Sequence, residues 1–386
     1  MIPYGKQDIS EDDIDSVLKV LKSDFLTQGE KVIMFEQALS NYCQVDYGIA
    51  LNSATSALHV ACLALDLNQG DIVWTSPNSF VASANCALFC GAYVDFVDID
   101  PKTYNLSVDL LEEKLIEANQ KNKLPKIIIP VHFAGQSCDM ERIHELSKRY
   151  GFKILEDASH AVGGKYKSLP VGNCHYSDIT VFSFHPVKII TTAEGGMAVT
   201  KPKKLINKMR LIRSHGVTRD EKLIRKKKYL PYYYEQVELG FNYRMTELQA
   251  ALGLSQLNRL DDFVSRRHQI KKRYDLTLQN EYLTKPFQNI NCYSSMHLYP
   301  IKINSAECSK SRDEVFLKLR QEGVGVNVHY IPIHTQPFYK SLGFKEGDFP
   351  NSEDYFKNAL SIPIFSSMNF NEQDKVIESL INILKT

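Results

Sequence analysis

The chain has 386 residues, 44% hydrophobic and 24% charged, and its 46 Lys+Arg against 45 Asp+Glu leave a net charge of +1. That length fits one large and one small domain around real cores, and the balanced charge gives no support to nucleic-acid binding as the main task. No apolar run of about eighteen residues marks a membrane span. Met1-Ile2-Pro3-Tyr4-Gly5 lacks a basic start followed by an apolar stretch, so the expected location is the cytoplasm. Eight cysteines, Cys43, Cys62, Cys86, Cys90, Cys138, Cys174, Cys292 and Cys308, form no CxxC and read as small buried thiols in a reducing compartment. Cys86 and Cys90 would stand one turn apart in a helix over 80–91, a spacing that could also hold a metal.

In chain order, Ser10-Glu11-Asp12-Asp13 predicts a capped helix with Ile14, Val17, Leu18 and Leu21 on one apolar face. A second helix follows Gly29 and carries Phe35, Leu39 and Tyr42. A strand at Gly48-Ile49-Ala50-Leu51 leads through Asn52-Ser53 into a small-residue helix from Thr55 to Leu65. The pattern then repeats. Strands are expected at 72–75, 93–97, 127–131, 153–157, 179–183 and 197–200, with helices at 80–91, 107–118 and 140–150. Short apolar strands alternating with amphipathic helices predict a parallel sheet covered on both faces, with ligands at the carboxyl ends of its strands. Residues 201–235 hold Arg225-Lys226-Lys227-Lys228 and Tyr232-Tyr233-Tyr234, read as a solvated loop near a subunit edge. One long helix, 246–274, is expected to link a large domain (1–250) to a small α+β unit (251–386) with strands at 297–301 and 325–329 and a helix at 312–321. No GxxxxGK[ST], GxSxG or HExxH occurs, and no spacing argues for a metal.

Two segments carry chemistry. Glu156-Asp157-Ala158-Ser159-His160-Ala161 closes a buried strand, where a carboxylate needs a partner. Phe182-Ser183-Phe184-His185-Pro186-Val187-Lys188 places a lysine in a loop between two core strands. A lysine among apolar groups has a lowered pKa and attacks carbonyls. On neighbouring strands the pair suggests pyridoxal phosphate: Lys188 for the Schiff base, Asp157 for the pyridinium nitrogen. Thr55 and Ser56 at a helix N-terminus offer a phosphate seat or a plain cap. Ser183 is a second donor, and Phe80 offers either a stacking face or core packing.

These residues, with Asp24 to Gly29, Asn52 to Leu58, Thr191 to Gly196, Arg213 to Gly216 and Gly240 to Met245, resemble the DegT/DnrJ/EryC1/StrS sugar aminotransferases along essentially the whole chain. The resemblance implies an α/β protein of pyridoxal-phosphate fold type I, like aspartate aminotransferase. It implies that Lys188 binds the cofactor, Asp157 pairs with its ring nitrogen and His160 donates to its ring hydroxyl. Phe80 would stack, Thr55, Ser56 and Ser183 would hold phosphate, and Asn242 would reach the phosphate of the partner in a homodimer with shared sites. Some members carry histidine where Lys188 stands and are dehydratases, so the lysine implies transamination. The opening Ile2 to Gly5, the run Val131 to Met140 and the run Phe182 to Ile190 are similar to the branch acting on a UDP-linked 4-keto sugar. The implied reaction is ping-pong transfer from L-glutamate through pyridoxamine phosphate to C4 of a UDP-4-keto-6-deoxy-N-acetylhexosamine. By the same resemblance Tyr4, Phe25, Leu26, Thr27, Ala54, Ser183, Asn242, His329, Tyr330, Ile331 and Pro332 face the sugar nucleotide.

Overall fold

The computed structural model describes residues 1–228, 230–304 and 308–385. The centre is a seven-stranded sheet. Its strands are β1 (Tyr47–Leu51), β2 (Ile72–Thr75), β3 (Tyr93–Phe96), β4 (Ile127–Ile129) and β5 (Lys153–Asp157), then, after a small hairpin of β6 (Lys165–Tyr166) and β7 (Leu169–Pro170), β8 (Ile179–Ser183) and β9 (Gly196–Thr200). The spatial order is β1-β9-β8-β5-β4-β2-β3. The sheet is parallel from β3 through β8, but β9 runs antiparallel to both its neighbours. The mostly parallel sheet expected for the large domain is found, and β9 is the strand that departs from it. Residue types do not reveal direction; the short 184–195 connection, which returns without a crossover helix, does.

Successive residues of each strand serve opposite cores. Ile49, Leu51, Val73, Ile127, Ile129, Leu155 and Val181 face one side with the helices α3 (Ala54–Ala64) and α4 (Ala82–Phe89). Trp74, Ile128 and Ile154 face the other with Leu111, Leu115, Ile143 and Leu146, while Phe182, Met197 and Val199 meet Phe35 and Leu39. Both faces are covered, so the strands read as unbroken apolar runs. Each large side chain fully buried this way contributes about 1.5–3 kcal/mol.

Three expectations need correction. The first helix, α1 (Glu11–Leu21), has its capping box at Ser10 and Asp13, but its apolar face points outward. Ile14, Leu18 and Leu21 are exposed, whereas Asp13 and Val20 are buried. Asp13 is drawn inward because Arg259 Nη2 (2.5 Å), Gln256 Nε2 (2.6 Å) and the Ser10 amide (2.9 Å) donate to its carboxylate. Burial alone would raise its pKa; these donors hold it below the usual carboxylate value.

The expected 246–274 helix is two, α8 (Glu247–Leu257) and α9 (Leu260–Thr277). No glycine or proline marks the break. The amides of Asn258 and Arg259 bond to residues only three back, at 3.2 and 3.0 Å, which tightens and ends α8, and the Arg259 side chain is claimed by Asp13. Residue 250 lies inside α8, which packs on α1 and on the helix Glu30–Cys43. A second core joins Ile270 and Tyr274 of α9 to Tyr299, Ile301, Leu360, Val376 and Leu380.

Residues 325–329 form no strand. Their backbone bonds go elsewhere: Gly325 donates to Ile2 (2.6 Å), and Asn327 and Ser361 exchange bonds at 3.2 and 2.8 Å. The Gly325 Cα faces Ile2 O so closely that a Cβ would stand 2.7 Å from it.

Candidate active site

The parallel strands end at one edge of the sheet, and β9 begins there. A cavity of about 560 Å³ opens at that edge. Ser53, Ala54 and Thr55 line it from the start of α3, Phe80 from the turn after β2, Asp157 from the end of β5, Ser183 from the end of β8 and Lys188 from the following loop. Tyr4, His297, His329 and Tyr330 close it from the other side.

Asp157 is buried and fixed on both oxygens. Ser83 Oγ of α4 donates to Oδ2 at 2.6 Å, and Ser159 donates to Oδ1 through Oγ at 2.6 Å and through its amide at 3.1 Å. These donors fix the orientation of the carboxylate. The neighbouring Glu156 points away from the cavity, onto His132 Nε2 (2.6 Å), Ser177 and Thr180 (2.8 Å). Burial pushes its pKa up, and those three donors bring it below the ordinary value.

Lys188 is half-buried and lines the cavity. The loss of water pushes its ammonium down to about 8; the Asp157 charge opposes that shift. An amine at that value is available as a nucleophile and proton carrier near neutral pH.

Three buried histidines lie beside the lysine at the cavity, and hydrogen bonds fix the ring protons of two of them. His160 Nδ1 accepts from the Ala134 amide (3.3 Å), so Nε2 carries the hydrogen and donates to Tyr330 Oη at 3.0 Å. His329 Nε2 accepts from Asn327 Nδ2 (3.2 Å), which leaves Nδ1–H for Ser361 Oγ (2.9 Å). His297 stacks on His160 with ring centroids 4.4 Å apart, and its Nδ1 is buried without a partner. Burial, with Lys188 nearby, keeps all three neutral; His329 falls to about 3.

The first turn of α3 presents hydroxyl and backbone N–H groups at the cavity edge. Ser53 caps it, accepting from the Ser56 amide at 3.1 Å, and Ser56 Oγ is committed to Asn52 Oδ1 at 2.6 Å. Ser56 is buried behind the turn, whereas Thr55 lines the cavity. β9 lies directly against this turn: a Cβ on Gly196 would stand 2.4 Å from Ala54 N. Phe80 is 61% exposed, lines the cavity and lies with its ring centroid 6.4 Å from that of Tyr330. A turn of N–H and hydroxyl donors, a cavity of about 560 Å³, a fixed carboxylate and a lysine whose pKa is lowered together fit pyridoxal phosphate.

Phe25, Leu26, Thr27, Asn242, Ile331 and Pro332 do not line the cavity. Thr27 pairs with Thr246 and Asn242 with Ser214, on a surface where Phe25, Leu26 and Asn242 are exposed. Sequence reasoning missed Ser83, Ser159, His297 and Asn327. The spacing Asp157-Ala158-Ser159 was a usable signal, since such a serine caps the carboxylate locally. Ser83, 74 residues from Asp157, had none.

The DegT/DnrJ/EryC1/StrS aminotransferase family model matches residues 7–381. The UDP-4-amino-4,6-dideoxy-N-acetyl-beta-L-altrosamine transaminase of Campylobacter jejuni is 40% identical over 387 residues, covering 100% of this chain and 98% of the relative. Helicobacter pylori PseC, an aminotransferase of pseudaminic acid biosynthesis, superposes with a TM-score of 0.90 at 32% identity, covering 100% and 99%. The PLP form of Spr1654 from Streptococcus pneumoniae does so with 0.88 at 30%, covering 100% and 98%. The chain thus belongs to the DegT/DnrJ/EryC1/StrS aminotransferase family and is a sugar aminotransferase that works with pyridoxal phosphate.

Proposed function

We propose that the chain moves an amino group from L-glutamate to C4 of a UDP-linked 4-keto-6-deoxy-N-acetylhexosamine, in ping-pong order, on the route to pseudaminic acid and a surface glycan. The single observation that carries this is a lysine, not a histidine, at the cavity floor opposite a fixed aspartate; the 40% identity to the Campylobacter transaminase supports the choice of sugar. When bound, pyridoxal phosphate supplies a carbonyl for the incoming nitrogen and a ring that withdraws electrons. Lys188 holds the cofactor, and its amine then carries the proton between the reacting carbons. Asp157, steadied by Ser83 and Ser159, keeps the ring nitrogen protonated. Thr55, Ser183 and the α3 N-terminus hold the phosphate, and Phe80 covers the ring. His160 keeps its proton on Tyr330, so the tyrosine hydroxyl hydrogen is free for the ring hydroxyl or the sugar.

Tyr4, Ala54, His329 and Tyr330 form the sugar side. The working unit is a homodimer, in which Asn242 and the Phe25-Leu26-Thr27 turn complete the partner's site. The outward apolar face of α1 and the exposure of Phe25 and Asn242 support this. No helix among the described residues is long and apolar enough to cross a membrane, and the free thiols suit a reducing cytoplasm.

The test is release of 2-oxoglutarate from glutamate with a panel of UDP-linked 4-keto and 3-keto sugars. The 4-keto N-acetylhexosamine should be turned over fastest. A 3-keto sugar preferred by tenfold would overturn the proposed position of amination.

A further inference from the structure

Arg267 of α9 is a buried guanidinium, 1% exposed. Nη1 donates to the carbonyls of Met296 (3.3 Å), His297 (3.2 Å) and Ile364 (2.9 Å), and Nε is buried without a partner. Among the described residues no carboxylate pairs with it. Burial pushes its pKa down to about 10, so it stays charged at neutral pH. A cation taken out of water without a counter-charge is costly, and an apolar side chain of similar volume would avoid that cost. Packing alone therefore does not account for this side chain; the three carbonyls do.

All three carbonyls belong to the side of the cavity that Tyr4, His297, His329 and Tyr330 close. His297 lines the cavity itself. Met296 before it holds a left-handed φ of 53°, uncommon for a residue with a side chain, and the two successive carbonyls meet one nitrogen. The Ile364 amide donates to Tyr4 O at 3.1 Å. Three residues earlier, Ser361 Oγ accepts from His329 Nδ1 at 2.9 Å. Tyr4, His297 and His329 are thus anchored on two short segments, 296–297 and 361–364, and Arg267 Nη1 is bonded to both. Among the described residues no other donor reaches the three carbonyls, so without the guanidinium they would be buried and unpaired.

We propose that Arg267 is a positioning residue for the sugar substrate: it does not line the cavity, but it sets where Tyr4 and His297 stand relative to Lys188. This rests on the reading of Tyr4, His329 and Tyr330 as the sugar side. Lys188, Asp157 and the α3 turn, which serve the glutamate half-reaction, are carried by the large sheet and do not depend on the guanidinium. Its loss should therefore fall on the sugar half-reaction alone. Misplacing a positioning group by 1 Å costs up to about a hundredfold, so a smaller shift should cost roughly tenfold.

The experiment compares the full-length wild type with Arg267→Lys, which keeps the charge on a shorter side chain, and with Arg267→Met. Amide hydrogen exchange in the cofactor-free protein reads the positioning directly. The Ile364 and His297 amides, which donate to Tyr4 O and to Ala134 O (3.0 Å), should exchange about tenfold faster in either variant. The Gly325 amide, bonded to Ile2 O on the same N-terminal segment, should stay within twofold. Single-turnover absorbance of the holoenzyme then separates the half-reactions. With the keto sugar that the wild type turns over fastest, half-maximal rate should need about tenfold more sugar, and the glutamate half-reaction should change less than twofold. Equal acceleration at Gly325, or equal damage to both half-reactions, would make Arg267 a support of the whole fold and overturn the proposal. Wild-type exchange at Ile364 and His297 in Arg267→Lys would overturn it too, whether or not Arg267→Met folds. Tyr4→Ala tells the two readings apart. If it leaves the sugar half-reaction intact, the sugar side is misassigned; if it damages that step while the Arg267 variants do not, the positioning role alone fails.

Discussion

Gly196→Ala tests whether the contact between β9 and the first turn of α3 matters to the cofactor. The added Cβ would stand 2.4 Å from Ala54 N, 2.6 Å from Ala54 Cα and 2.6 Å from Ser53 C. All three are backbone atoms, so no side chain can swing aside. Relief to an ordinary contact of 3.4 Å requires the α3 turn to move by about 1 Å. Overpacking of that kind costs about 1–3 kcal/mol of stability. The same shift stretches a phosphate hydrogen bond made by that turn beyond useful length. One hydrogen bond to a charged group is worth about 1.5–3 kcal/mol, which is roughly a ten- to hundredfold loss of cofactor affinity. Titration of the cofactor-free protein with pyridoxal phosphate, followed by absorbance, measures that affinity, and a urea melt measures stability. Gly70→Ala is the control: its φ is +87° and nothing lies within 4 Å of the added Cβ. It should lose about 1–2 kcal/mol of stability through backbone strain and keep its cofactor affinity. If Gly196→Ala bound the cofactor within twofold of the wild type, the α3 turn would not be the phosphate seat.

Lys188→Ala should lower glutamate-dependent release of 2-oxoglutarate by at least about a thousandfold, because covalent attachment and proton transfer fail together; a residual rate above a tenth would place the lysine outside the chemistry. Lys188 also gives a signed pH effect in the cofactor-free protein. Its folded value of about 8 lies below the unfolded 10.5, so the unfolded chain binds more protons between those values. Stability should therefore rise from pH 8 towards 10.5 in wild type relative to Lys188→Met, and parallel urea melts would read the difference. Ser83→Ala removes one of three donors to Asp157 and should reduce turnover about tenfold, against several orders of magnitude for Asp157→Asn; equal losses would mean that Ser83 acts on something other than the carboxylate. Mixed Lys188→Ala and Asn242→Ala subunits should regain activity through one rebuilt site per hybrid dimer, and hybrids without activity would argue against shared sites.

The strands of the central sheet were legible because burial on both faces forces short apolar runs. The cavity edge was legible because Asp157, Ser183 and Phe80 each follow such a run. The direction of β9 left no mark on residue type and was carried only by the short 184–195 connection, which holds no crossover helix. α1 shows a sharper limit. Its periodicity was real, yet the face it pointed to is exposed, because Asp13 is held inside by Arg259 and Gln256 more than 240 residues away in sequence. The same guanidinium stands at the break between α8 and α9, where neither residue type nor spacing signals an end. Lys188 and Asp157 could be found because their chemistry is rare in buried loops. Ser83, His297 and Asn327 could not, because serine, histidine and asparagine acquire their roles only from what the fold places opposite them.

The first residues of the chain belong mechanically to its last third. Ile2 exchanges backbone bonds with Gly323 (2.8 Å) and Gly325 (2.6 Å), and Tyr4 O accepts from Ile364 at 3.1 Å. Ile2 packs into the core built around Tyr299 and Leu360. Tyr4 is therefore carried by the elements that carry His329 and Tyr330, while Ser53, Asp157 and Lys188 are carried by the large sheet. The two carriers face each other across the cavity and also meet where Asn351 and Ser352 bond Asp98 and Tyr339 bonds Asn85, so a ligand spanning Tyr4 and Phe80 adds a strut between them. Cutting the chain by sequence order would sever that strap: a fragment beginning at residue 251 would lack the segment that Gly325 binds, and the remainder would keep a tyrosine with nothing to hold it over the lysine.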